Sequence, residues 1–162
     1  MLATRMRMAR GVWDGYLYKE GDEYEHLTGG WYQYYQVGSG LFTRNVDNLY
    51  LYADYNPNGE VSVGATNAIN LTNANIIKVR WANTGNHPTA VRSYFGVDKD
   101  ITKIRRDGGA EILLYVQHAF AEKTDSIDVS ALSGEYYIGV SAQLSSSTSG
   151  NNTLYVYEAW VE

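Results

Sequence analysis

Ile76-Ile77-Lys78-Val79-Arg80-Trp81-Ala82 decides the fold class. Ile77, Val79 and Trp81 alternate with Lys78 and Arg80. Period-two alternation marks a strand with one buried face, because successive side chains point to opposite sides of a sheet. The pattern recurs outward along the chain. Leu49-Tyr50-Leu51-Tyr52-Ala53 predicts a strand with two outward tyrosines, and Gly29-Gly30 precedes an aromatic strand over 31–37 (Trp31-Tyr32-Gln33-Tyr34-Tyr35). Further strands are predicted at 60–65 (Val61, Val63, Ala65 on one face), 90–97 (Val91, Phe95, Val97 against Arg92 and Tyr94), 111–118 (Ile112, Leu114, Val116), 136–143 and 153–161. Polar turns separate them, the strongest being Asn56-Pro57-Asn58-Gly59, where Pro presets φ and Asn-Gly accepts left-handed positions. Asn83 to Pro88 reads as a loop, and only 115–123 carries a weak helical period. Short strands at roughly ten-residue spacing imply an all-β antiparallel sandwich or barrel.

Composition narrows the function. The chain has 162 residues, 15 Tyr, four Trp and no Cys. One domain with a sizeable core is expected at this length. Without cysteine there are no disulfides, thiol nucleophiles or thiolate metal sites. Arg5, Arg7 and Arg10 make a basic start, which leaves ten basic residues against all 18 acidic ones in the remainder. An acidic body argues against nucleic acid as the main partner. No apolar run approaches the roughly 20 residues that span a bilayer, and Met1 to Met8 lacks the apolar middle of a signal peptide. Residues 1–13 read as an N-terminal arm or linker, and 14–162 as the β-sandwich domain.

Catalytic signatures are missing. There is no G-x-S-x-G elbow, dinucleotide fingerprint or P-loop. The acidic stretch Glu20-Gly21-Asp22-Glu23-Tyr24-Glu25 offers carboxylates for glycoside cleavage, but neighbouring acids on a turn usually form a solvated surface. Asp98, Asp100 and Asp107 could hold a structural calcium, although their spacing fits no EF-hand loop. No other metal and no cofactor is expected. Two segments echo each other: Asn70-Leu71-Thr72-Asn73 and Asp128-Val129-Ser130-Ala131 each bracket an apolar residue between Asx and Ser or Thr. Such side chains bond nearby backbone and set a turn while the apolar residue plugs the core.

Several stretches together resemble a known family. They are Tyr16-x-Tyr18-x-x-Gly21-Asp22-Glu23, Thr28-Gly29-Gly30-Trp31, Asn70-Leu71-Thr72, the run from Asp128 to Val140, and Leu154-Tyr155-Val156-Tyr157-Glu158-Ala159-Trp160. This set resembles the jelly-roll domains of tail, baseplate and appendage proteins from phages and prophages of Gram-positive bacteria. Arg5-Met6-Arg7-Met8-Ala9 is similar to the joint that precedes such domains. The resemblance implies a sandwich of carbohydrate-binding-module or galactose-binding type, displayed as a homotrimer beside other tail or baseplate proteins, on a virion or released by lysis. It brings no catalytic residue, so a non-enzymatic receptor-binding module for cell-wall saccharide is expected. The alternative is a capping or trimerisation domain without its own ligand.

The pattern supplies candidate binding residues. Outward rings stack on sugar faces at low entropy cost, and polar neighbours fix orientation. The expected set is Trp31, Tyr32, Tyr34, Tyr50 and Tyr52, with Asn48, Asp54 and Asn86, and with Gln33 in the same role.

Overall fold

The structure is a computed structural model that describes residues 16–19, 30–54, 58–87, 89–145 and 150–162. The expected arm 1–13, the acidic stretch 20–25 and the Asn56-Pro57 half of the strong turn lie outside these residues. Twelve strands are described: β1 (Tyr16–Lys19), β2 (Trp31–Val37), β3 (Gly40–Arg44), β4 (Leu49–Ala53), β5 (Glu60–Ala65), β6 (Ile69–Asn70), β7 (Ile76–Thr84), β8 (Val91–Asp98), β9 (Ile112–Gln117), β10 (Phe120–Asp128), β11 (Glu135–Leu144) and β12 (Asn152–Val161). One turn of 3-10 helix, Ile101–Lys103, follows β8.

All pairings are antiparallel, and they build two sheets. The first sheet runs β10-β7-β12-β4-β3, with β1 also on β12; the second runs β2-β5-β11-β8-β9, with β6 also on β11. This is the sandwich, of the two forms the alternation leaves open, and the jelly-roll that the resemblance implies: two sheets with their apolar faces together. Leu49, Leu51, Ile77, Val79, Trp81, Leu154 and Val156 meet Val61, Val63, Phe95, Val97, Ile138 and Val140 between the sheets. Burying each such side chain contributes about 1.5–3 kcal/mol. Trp81 packs edge-on against Phe95, with ring centroids 6.2 Å apart.

The helical reading of 115–123 is corrected. That stretch ends β9 in the second sheet and opens β10 in the first, with His118 at φ 76° turning the corner between them. An i, i+3 apolar coincidence across two strands imitates a helical period. The loop expected from Asn83 begins later, because Asn83 and Thr84 still pair in β7.

The two echoing segments are equivalent corners. Asn70 Oδ1 accepts the Thr72 N–H at 2.9 Å and Asp128 Oδ1 accepts the Ser130 N–H at 2.9 Å. Leu71 and Val129 are fully buried. Asp100-Ile101-Thr102 is a third copy, with Asp100 Oδ1 accepting the Thr102 N–H at 3.0 Å and Ile101 buried. The carbonyls of Leu71, Ile101 and Val129 each accept an N–H three residues on. The first and last plug the core. Ile101 plugs the outside of the second sheet instead, and that difference shapes the site.

Candidate functional site

Register places three cross-strand rows on the outer face of the second sheet. In the order β2-β5-β11-β8-β9 they are Val37-Glu60-Gln143-Arg92-Gln117, Tyr35-Ser62-Ser141-Tyr94-Tyr115 and Tyr32-Gly64-Gly139-Gly96-Leu113. The third row is glycine on its three central strands, and the segment after β8 lies upon it. A Cβ on Gly64 would stand 2.5 Å from Ile101 Cδ1, and one on Gly139 would stand 3.3 Å from Ile104 Cγ2. Side chains there would lift the plug off the sheet.

The other two rows are polar, yet Glu60, Ser62, Tyr94, Ser141 and Gln143 are all buried. Glu60 Oε1 accepts from the Ser141 hydroxyl at 2.7 Å and from the Arg106 backbone N–H at 3.0 Å. Ser62 Oγ donates to Ser141 Oγ at 2.9 Å. Arg106 Nη1 reaches Asn58 Oδ1 at 2.7 Å, and Asn58 takes the left-handed φ of 65° that the Asn-Gly turn signal predicts. Tyr94 stacks on Tyr115 with centroids 5.2 Å apart, its hydroxyl points to Gln143 Oε1 at 3.4 Å, and Arg92 Nε donates to the Tyr115 hydroxyl at 2.9 Å. Burial, then the neighbouring Tyr115 and Glu60, push the Tyr94 hydroxyl up to about 12. Gln143 Nε2 is buried with no acceptor among the described residues. An orphaned buried donor costs about 1–3 kcal/mol. From the far side Asn152 Nδ2 donates to the carbonyls of Arg92 (2.9 Å) and Gln143 (2.8 Å), which ties this row to the first sheet.

Over the two polar rows the surface therefore offers a half-exposed ring, Tyr115, beside a fixed floor of hydroxyls, an amide and a carboxylate, flanked by Arg92, Arg105 and Arg106. Arg105 lies over the Tyr35 ring at 4.2 Å. A ring for a sugar face with converging donors and acceptors is the chemistry of a small polar-ligand site.

The residues expected from sequence do not form one site. Trp31 is corrected to a core residue: it pairs with inward-facing Ala65, packs edge-on against Tyr18, and donates its indole N–H to the Leu17 carbonyl at 3.4 Å. Tyr34 stays on the outer side of the sheet but is covered there, its hydroxyl donating to the Ile104 carbonyl beneath the plug. Burial raises its hydroxyl far above the ordinary tyrosine value. Tyr32 stays exposed beside Tyr34, and Gln33 is exposed and bonds Gln36. Tyr50 and Tyr52 point outward as expected, but from the first sheet, on the opposite face of the sandwich. There Tyr50 meets Tyr155 edge-on at 5.6 Å and Tyr155 stacks on Tyr157 at 6.4 Å. Asn48 closes the β3–β4 turn with Asn45, Asp54 lies 3.5 Å from the Tyr52 hydroxyl, and Asn86 exchanges backbone-to-side-chain bonds with Asn151.

Glu60, Arg92, Tyr94, Arg105, Arg106, Tyr115, Ser141 and Gln143 were missed. Their signal was the small or polar character of outward positions on β5, β8 and β11, and only register joins those positions into rows. Of the carboxylates considered for calcium, Asp98 holds the N–H groups of Asp100 and Glu111 at 2.8 Å each, and Asp100 caps Thr102. Among the described residues no cluster of three or more His, Asp or Glu gathers at metal-binding distance.

No protein-family model and no curated protein matches the chain. Solved structures share its fold, two of which follow. The glycoside hydrolase domain of Endo-D from Streptococcus pneumoniae R6 aligns with a TM-score of 0.56 at 11% identity over 82% of this chain, which spans 22% of that one. TmCBM61, solved in complex with β-1,4-galactotriose, aligns with a TM-score of 0.51 at 13% identity over 91% of this chain and 97% of its own.

Proposed function

We propose that this chain is a non-enzymatic module that binds bacterial surface saccharide on the outer face of its second sheet. The carrying observation is the pair of polar rows at Glu60-Gln143-Arg92 and Ser62-Ser141-Tyr94-Tyr115, held rigid by cross-strand bonds and topped by an exposed ring. The galactotriose-bound module of the same fold supports the ligand class. Among the described residues these rows hold a single carboxylate, Glu60, whereas glycoside hydrolysis usually needs a pair about 5–10 Å apart. Binding without cleavage is the reading that fits.

The biological setting we propose is a phage or prophage tail appendage of a Gram-positive host, with copies arranged as a trimer on the virion. This rests on the sequence motifs quoted above, independently of the fold. Trimeric display would raise the apparent affinity of a weak site by orders of magnitude.

The test is titration of labelled protein against Gram-positive cells and their purified wall polysaccharides, with released sugar monitored in the same samples. Saturable, strain-selective binding without hydrolysis is expected. Sugar release would replace the binding reading with an enzymatic one. No binding by folded protein to any strain would favour a capping role, for which the Tyr50-Tyr155-Tyr157 face is the natural contact.

A further inference from the structure

The two faces of the sandwich treat their cations differently. On the first sheet Lys78 pairs with Glu162 at 2.7 Å, Arg80 with Glu158 at 3.2 Å and with Glu122, and Lys123 with Asp125 at 2.9 Å. On the second sheet the one printed pair besides that of Arg106 is the loose Lys103–Asp98 contact at 3.9 Å, while Arg92 spends its Nε on a tyrosine hydroxyl, and Arg105 bonds the Thr102 carbonyl and lies over a ring. Neither arginine has a carboxylate within ion-pair distance among the described residues. Among the described residues the Arg106 guanidinium bonds the Asn58 amide oxygen, and its one ion pair is with Asp107, an exposed neighbour in sequence, at 3.4 Å. In a chain of net charge −5, three guanidinium groups gathered without firm counter-ions call for an explanation.

We infer that the second-sheet site, on the reading proposed above, selects an anionic saccharide, one bearing a carboxylate or phosphate. The charge is polarised along the first row, with Glu60 at β5 and Arg92 at β8 on either side of Gln143. Two strand spacings separate them, about 10 Å, which accommodates a pyranose ring with a hydrogen bond at each end. A ring hydroxyl donates toward Glu60. An anionic oxygen pair on the other side accepts from the Arg92 guanidinium, whose planar fork suits two-point recognition of carboxylate or phosphate. Beyond Glu60, Arg106 beside it and Arg105 over Tyr35 place further guanidinium groups at the β2 end of the face. Gln143 Nε2 adds an unpartnered donor at the centre.

The experiment is isothermal titration of the folded chain with three probes: oligogalacturonate, the same oligomer reduced at its carboxyls to the neutral sugar, and a glycerol-phosphate teichoic polymer. Each is run at low and at high salt, with wild type, Arg92→Gln, Arg92→Lys and Tyr115→Ala. The inference expects at least one charged probe to bind ten times or more tighter than the neutral one, to weaken with salt, and to lose that advantage in Arg92→Gln. Arg92→Lys should recover part of it, which a merely structural role for Arg92 would not give. The uronate and phosphate arms identify which anion is preferred. If the neutral oligomer binds as well as the charged ones and Tyr115→Ala abolishes it, the anionic selection is overturned while the saccharide reading stands. If no probe binds, both fall.

Discussion

Tyr94 concentrates the physics of the site in one side chain. It sits on an outward position of β8, yet Tyr115 stacks over it and only 5% of it reaches solvent. A tyrosine is neutral below its pKa, and this one is pushed up to about 12 from the ordinary 10.0. The folded chain therefore holds the proton more tightly than the unfolded chain once pH passes about 10. Stability falls as pH rises from about 10 to about 12 and gains nothing from this group at neutral pH. The loss assigned to Tyr94 is about 1–2 kcal/mol after allowing for partial hydration. Denaturant unfolding of Tyr94→Phe across pH 8–12 should show a shallower alkaline decline than wild type. An identical decline would mean that the hydroxyl is hydrated. Residue-scale reading from sequence placed Tyr50 and Tyr52 outward correctly, because Leu49, Leu51 and Ala53 are all fully buried. It could not place Tyr34, because a bulge in β2 between Gln33 and Tyr35 breaks the alternation there, while Trp31, in regular register before the bulge, faces the core opposite Ala65.

At the scale of elements, the three Asx-apolar-Ser/Thr corners share one local hydrogen-bond pattern with two destinations. Leu71 and Val129 enter the core, so Leu71→Ala should cost about 2–5 kcal/mol in chemical unfolding, with no selective effect on the outer face. The Ile101 corner rests on the glycine row. Gly64→Ala would drive a Cβ to 2.5 Å from Ile101 Cδ1 and 2.8 Å from the Ile138 carbonyl. Overpacking of this kind costs about 1–3 kcal/mol. It should also raise amide exchange at 101–106 ahead of the rest of the chain, and uniform protection would show that the plug does not depend on the glycines. Two corners were legible because their segments look alike and precede similar strands. The third has the same chemistry, but Asp98 and Asp100 together also read as a calcium loop, whereas their carboxylates cap backbone N–H groups.

For the whole molecule, period-two alternation was enough to give an all-β sandwich or barrel, because a half-buried strand must find a partner face. It could not give strand order. β4 and β5 follow one another in the chain but lie in different sheets, and the expected rings divide between opposite faces accordingly. The polar rows arise from residues as distant as Glu60 and Gln143, adjacent only through the β5–β11 register. Sequence therefore indicated the sandwich, while the polar rows on which the proposed site rests come only from strand register. The two faces also make different physical offers. The first sheet presents tyrosines among paired charges, and the second presents a ring over fixed polar groups beside Arg92 and Arg105, which have no ion pair among the described residues.

The most direct test is a comparison of saccharide affinity between Tyr115→Ala and the double variant Tyr50→Ala/Tyr52→Ala, measured by calorimetric titration against the wall polysaccharide that wild type binds. The account predicts that Tyr115→Ala weakens binding about tenfold or more, equivalent to about 1.4 kcal/mol, while the double variant stays within twofold of wild type. The reverse order, with the double variant weakened and Tyr115→Ala unchanged, would move the site to the first sheet and contradict the account.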